Sequence, residues 1–142
     1  MKVGIAELLS AAVSKKAKKD RIAALQKAKA ENPHVFSMLK YMFKPNILFQ
    51  LPEGEPPYKP QPKESDLQHM LYSEFRRIKI FMRGEYPQMT KAKREILFIE
   101  FLEMVDADDA KLLIAMKDKT SPYKNLTKAL VMEAFPEETV GW

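Results

Sequence analysis

Five of the chain's ten prolines fall within Leu51–Lys63, in the run LPEGEPPYKPQPK. Proline fixes φ near −65°, removes a backbone donor and biases the preceding residue toward extended geometry. No regular helix crosses such a stretch, and it is too long for a simple connection. The reading is therefore a semi-rigid, polyproline-like strap over residues 44–64, with helical sequence on both sides. Residues 47–51 suit a short extended run at its start. Tyr58 stands among the prolines, placed to stack on them or to meet a partner. A P-x-x-P match from Pro57 to Pro60 is a weak pattern, and an arm packed on its own body is the preferred reading.

Before the strap, Ile5, Leu8, Leu9, Ala12 and Val13 follow offsets 0, 3, 4, 7, 8, one face of a helix. Its small residues suggest weak attachment to a neighbour. Residues 21–31 have high helix propensity but only a thin stripe of Ile22, Leu25 and Ala28, with Asp20 a candidate N-cap. Asn32-Pro33 marks a further helix start. Val35, Met38, Leu39 and Met42 give that helix one apolar face, and Phe36, Tyr41 and Phe43 give it another, so it is deeply buried or half of an interface.

After the strap, Ser65 with Gln68 reads as a capping box opening a helix that Gly84 stops. Leu67, Met70, Leu71, Phe75, Ile78 and Met82 form its expected buried face. Tyr72, Arg76, Lys79 and Arg83, spaced 4, 3, 4, form an expected polar stripe. Thr90 caps the next helix. Its stretch ILFIEFLEMV is apolar on almost every side, as expected of the central helix of a bundle. Lys91, Lys93 and Arg94 sit at its start, against the helix-dipole preference. Asp106 caps the following helix, with Asp108 and Asp109 in the first turn. A calcium loop there would need a glycine and a glutamate where Lys111 and Lys117 stand, so capping is the better reading of the three aspartates. Thr127 caps a last helix that Pro136 ends, and residues 137–142 form a tail closing on the sole tryptophan, Trp142. That ring either folds back or anchors a partner.

These elements give an all-α fold, a small bundle of about five to seven helices with the strap across it. The expected divisions are a basic helical segment (1–31), an apolar helix (32–43), the strap (44–64), a helical bundle (65–136) and the tail (137–142). A chain of 142 residues suits one domain. No apolar run reaches the length of a membrane span. Glu7 interrupts the N-terminal apolar stretch and lysines stand where a signal cleavage site belongs, so that stretch reads as mature, untargeted sequence.

Charge is unevenly distributed. Residues 1–31 hold eight basic and three acidic residues, which accounts for the whole net charge of +5. Lys15, Lys16, Lys18, Lys19, Arg21, Lys27 and Lys29 are the candidate contacts for nucleic acid or an acidic partner, joined by the Arg76, Lys79 and Arg83 stripe. The plainer reading of both groups is a solvated helix face whose long stems cover apolar neighbours.

Several chemistries have no sequence to support them. The absence of cysteine removes disulfides, thiolate nucleophiles and cysteine-ligated metal sites. The four glycines are isolated, so no known phosphate-cradling loop can be built. His34 and His69 lack ligand spacing, and no serine stands in a nucleophile elbow. Glu100 and Glu103, one turn apart, read as the wet side of their helix. The expectation is a protein without enzymatic activity and without a cofactor.

The runs PEGEPPYKP, EFRRIKIF, KREILFIEFLEMVDADDAKLLIAMKDK and YKNLTKALVMEAFP resemble an uncharacterised family of small helical proteins from T4-like tailed phages of marine bacteria. The resemblance covers roughly residues 35–136 and leaves out the lysine-rich N-terminus. It implies a phage gene product in the host bacterial cytoplasm or in the virion. It carries no assigned activity, so no functional residue transfers.

Three roles fit this reading. The first is an accessory protein touching nucleic acid or a nucleoprotein machine through the basic segment. The second is a virion or assembly protein that docks on neighbouring subunits through its N-terminal helix and strap. The third is a regulator of a host enzyme, binding through Met38, Met42 and Phe43 or through Trp142. In each, Tyr58 and Trp142 are candidate protein contacts, and recognition is expected on appendages rather than in a cleft.

Overall fold

A computed structural model describes residues 3–62 and 64–142. Lys2, counted above among the basic residues, and the strap residue Lys63 lie outside them. The described residues are all helical apart from loops and the strap. The α-helices are α1 (Ile5–Val13), α2 (Lys18–Glu31), α3 (His34–Phe43), α4 (Met70–Ser73), α5 (Lys91–Met104), α6 (Ala107–Lys117) and α7 (Lys128–Ala134). A 3₁₀ helix, Phe75–Phe81, lies between α4 and α5.

The centre of the bundle is α6. It packs against α1, α3 and α5. Leu112, Leu113 and Met116 on it are fully enclosed. The expectation that α5 is central is corrected, because Ile96 on that helix is 57% exposed while of its apolar run only Phe98, Phe101, Leu102 and the C-cap residue Val105 are buried. Its remaining apolar side faces the strap, whose Leu51 to Pro57 lie along Ile96 and Ile99. A helix apolar nearly all round is thus buried by helices on one side and left beside an open hollow under the strap on another.

The N-terminal segment is not an appendage. Ile5, Leu9, Ala12 and Val13 are buried, and α1 packs on α2, α3 and α6. The helix α2 bridges α1 to α7. The division expected at residue 31 is therefore not a packing boundary: the small residues of α1 allow close approach to α6 rather than weakening attachment. Asp20 falls inside the first turn of α2, whose N-cap position is Ala17.

The helix expected from Ser65 to Gly84 is replaced by a single turn, α4, and the 3₁₀ helix. Three residues per turn place Phe75, Ile78 and Phe81 on one ridge, and all three are buried. The backbone then extends at Met82, which pairs with Phe49 in an isolated antiparallel bridge. The Gln50 N–H donates to the Phe81 carbonyl at 2.8 Å and the Arg83 N–H to the Leu48 carbonyl at 2.8 Å. Gly84 follows at φ +89°, a conformation that favours glycine.

Local cap signals are realised where the side chain reaches its own helix. Thr90 accepts from Lys93 N, Asp106 from Asp108 N, and Thr127 from Leu130 N. Asn32 accepts the His34 N–H at 3.1 Å. The two apolar faces of α3 are both covered. Val35, Met38, Leu39 and Met42 face the core, Phe36 meets Phe135 and Trp142, and Tyr41 stacks on Phe75.

Candidate functional site

The lysines of the KKAKK run lie in the turn from α1 to α2 and in the first residues of α2. Lys15, Lys16, Lys18 and Lys19 are all exposed. Arg21 folds back over the turn, its Nε donating to the Lys15 carbonyl at 2.8 Å and a terminal nitrogen to the Lys16 carbonyl at 2.9 Å. That arginine fixes the backbone that displays the lysines. The turn leads into a 14-residue helix whose N-cap residue, Ala17, supplies no side-chain acceptor. The dipole of α2 adds positive potential where the lysines gather.

The other basic candidates divide. Lys27 is exposed on α2. Lys18 pairs with Glu133 at 2.7 Å and Lys29 with Glu138 at 3.0 Å, which ties α2 to α7 and the tail. Lys29 also lies 4.7 Å above the Phe36 ring and 5.2 Å above Phe135. Lys29 and Arg21 thus serve the fold. The expected stripe of Tyr72, Arg76, Lys79 and Arg83 is not continuous. Arg76 and Lys79 share an i, i+3 line on the 3₁₀ helix, Tyr72 turns its ring edge to His34, and Arg83 lies beyond the extended Met82. Arg94, grouped by sequence with Lys91 and Lys93, is 3% exposed and bonds the Tyr86 and Met89 carbonyls at 3.0 and 3.1 Å, holding the loop before α5.

The strap docks on its own chain. Lys117, at the C-terminal end of α6, is buried, and its Nζ donates to the carbonyls of Pro52 at 2.9 Å and Gly54 at 2.8 Å and to the Asp118 carboxylate. Asp118 in turn accepts the Gly54 N–H at 3.2 Å. Further along, the Lys59 N–H donates to Glu103 Oε2 at 2.7 Å, and Gln61 Nε2 donates to the Glu103 carbonyl. Tyr58 packs half-buried against the core between these ties. Lys119, at φ 59°, reaches the last carbonyls of α3, Tyr41 at 2.6 Å and Lys44 at 2.9 Å. Burial lowers its ammonium to about 8. Two lysines of the AMKDK run therefore hold both ends of the segment joining α3 to the strap. In sequence they look like ordinary last-turn cations, so this role was not legible.

Trp142 folds back, its ring centre 6.0 Å from that of Phe36 and its N–H bonded to the Thr139 carbonyl at 3.1 Å. Met38 and Met42 are fully enclosed. Surfaces expected to meet a partner through Tyr58, Trp142 and these methionines are instead applied to the chain itself, because each has an apolar neighbour within the fold.

Several hollows break the described surface, against the expectation of recognition by appendages alone, two of them of about 550 and 560 Å³. One, of about 550 Å³, lies where the N-termini of α1 and α6 meet and is lined by Glu7, Gln68, Asp106, Asp108, Asp109 and Tyr123 among others. Asp109 is fully buried there. Its Oδ1 accepts the Ala6 N–H at 2.9 Å, supplying the cap that Gly4 cannot, and Gly4 leaves the room: a Cβ on it would lie 3.3 Å from Asp109 Oδ2. Burial, with lesser repulsion from Asp106, Asp108 and Glu7, raises the Asp109 carboxyl to about 7 against the Ala6 hydrogen bond. Burial likewise raises Tyr123, whose hydroxyl donates to the Ala6 carbonyl at 3.2 Å, to about 12. Among the described residues, no group of three histidine or carboxylate side chains is placed to hold a metal ion. The second hollow, of about 560 Å³, runs between the strap and α5.

Fold and surfaces together define a small all-α protein closed by a docked strap and carrying a lysine-lined turn. Residues 8–122 match a family of unknown function, DUF6433, and the chain belongs to it. The matched span takes in the lysine turn, which the sequence resemblance had left outside, and ends before α7. No curated protein and no solved structure matches the chain. Among the described residues no helix is long and apolar enough to cross a membrane.

Proposed function

We propose that this chain is a non-enzymatic accessory protein, encoded by a tailed phage and acting in the infected bacterial cell, that contacts nucleic acid or a nucleoprotein complex through the turn at the start of α2. One observation carries the reading: Lys15, Lys16, Lys18 and Lys19 are exposed together at a helix N-terminus without a side-chain cap, on a backbone that Arg21 holds in place. Clustered ammonium groups at a positive helix end suit phosphate oxygens. The described surface has no row of exposed aromatic rings at this turn, so the contact is with the backbone rather than with bases. The virion-assembly reading draws less support, since α1 and the strap are both folded onto their own chain.

The test is binding of a labelled DNA duplex and an RNA of the same length at 50 and 200 mM salt. Three phosphate contacts, from Lys15, Lys16 and Lys19, predict that affinity falls about fortyfold across that range. Changing Lys15, Lys16 and Lys19 to Gln reduces the slope of log affinity against log salt by about 2–3. Absence of binding at the lower salt, or affinity indifferent to salt, rejects the proposal.

A further inference from the structure

The strap is tied to the body at two places, Gly54 on Asp118 and Lys117, and Lys59 with Gln61 on Glu103. The groove beside α5 lies along the strap at and beyond the first tie. Its helical wall is a single stripe, Ala92, Glu95, Ile96 and Ile99, at offsets 0, 3, 4 and 7, with Phe98 at its base. Ile96 is 57% exposed, an unusual position for a large aliphatic residue beside a hollow of about 560 Å³. The opposite wall carries Pro56 and Pro57, which offer carbonyl acceptors and no backbone N–H. The one cation of the lining, Lys117, is committed to Pro52, Gly54 and Asp118. Glu53, Glu55 and Glu95 supply three carboxylates at the groove. The groove therefore presents an apolar floor, proline carbonyl acceptors and negative charge, on a chain whose net charge is +5.

We infer that this groove is a docking site for a short peptide segment of another protein, one carrying an aliphatic side chain flanked by lysine or arginine. The aliphatic group covers Ile96 and Ile99, and the flanking cations donate to Glu53, Glu55, Glu95 and the strap carbonyls. Charge complementarity selects this occupant over an acidic segment, which the three glutamates repel. The inference is independent of nucleic-acid binding at α2, because the two use different residues and opposite charge.

The experiment measures fluorescence polarisation of a labelled peptide, Gly-Lys-Leu-Arg-Leu-Lys-Gly, against the full chain. Two control peptides replace the cations with glutamate or the leucines with serine. Binding of the first peptide alone is expected. Ile96→Asp, and separately Glu53→Lys with Glu55→Lys, weaken it by about tenfold or more. Asp108→Asn, in the other acidic hollow, leaves it unchanged. Ile96, Glu53, Glu55 and Asp108 are exposed and are changed without touching the core. No binding at about 1 mM, equal binding by the groove variants, or equal binding of the control peptides overturns the inference. Self-association of the chain that Ile96→Asp abolishes also overturns it, since the occupant is then a second copy.

Discussion

The Lys117 ammonium lies 2.8 Å from the carbonyl of Gly54, a residue 63 positions earlier in the chain. A buried cation at the end of α6 thereby meets the strap where two of its carbonyls converge. The charge is matched by Asp118 and by the Pro52 and Gly54 oxygens, so no polar group of the cluster is left without a partner.

Lys117→Met keeps the stem and removes those donors. Leaving two carbonyls and a carboxylate without their cation costs about 2–4 kcal/mol. The expected result is a lower midpoint in urea and faster limited proteolysis between Pro52 and Gln61. Unchanged protection of the strap rejects the clamp.

Leu9 is fully enclosed on α1. Leu9→Ala costs about 2–5 kcal/mol. A chain beginning at Lys15 loses the cooperative unfolding transition, which is read by circular dichroism during heating. A shortened chain with the full transition would restore the view that the first helix is an arm.

Asp109 is held protonated up to about 7, against its ordinary value of 3.8. The stability that this proton contributes is fully present below about pH 4 and is lost as pH rises through 7. Asp109→Asn remains neutral throughout and still accepts the Ala6 N–H through its side-chain oxygen. The variant is therefore expected to be more stable than the parent at pH 8, on the order of 2–4 kcal/mol, and to lack the parent's decline in melting temperature as pH rises from about 4 to about 7. Parallel pH profiles of the two proteins refute this.

Trp142 is the sole tryptophan and rests on Phe36. Its emission should shift to the red on unfolding in step with the loss of helix. Trp142→Ala uncovers Phe36 and costs about 1 kcal/mol. An emission maximum that is the same in folded and unfolded protein excludes the packed tail.

What could be read from sequence was local. Thr90, Asp106 and Thr127 act within three residues of themselves, and their cap signals hold. Proline placement located the strap. What failed was long-range. Apolar character around α5 signalled burial but not by what, and the strap supplies part of the cover. Phe75, Ile78 and Phe81 carry an i, i+3 spacing that fits either helix type, and burial against α5 rather than propensity decides for the tighter one. Of the basic residues, spacing alone could not single out Lys18, Arg21 and Lys29, whose side chains bond within the chain. Glu103, Lys117 and Lys119 left no signal of these ties, since the strap and α3 carbonyls and N–H groups they bond lie at least 42 residues away.

The pairing of α2 with α7 sets an order of events during synthesis. Lys18 leaves the ribosome 115 residues ahead of Glu133, and Lys29 109 residues ahead of Glu138, the two partners that anchor the second helix. Until those partners are made, the nascent chain carries Lys18 and Lys29 without their counterions. Closure of the bundle therefore waits on residues 128–138, and a chain cut short of them leaves α2 unlatched.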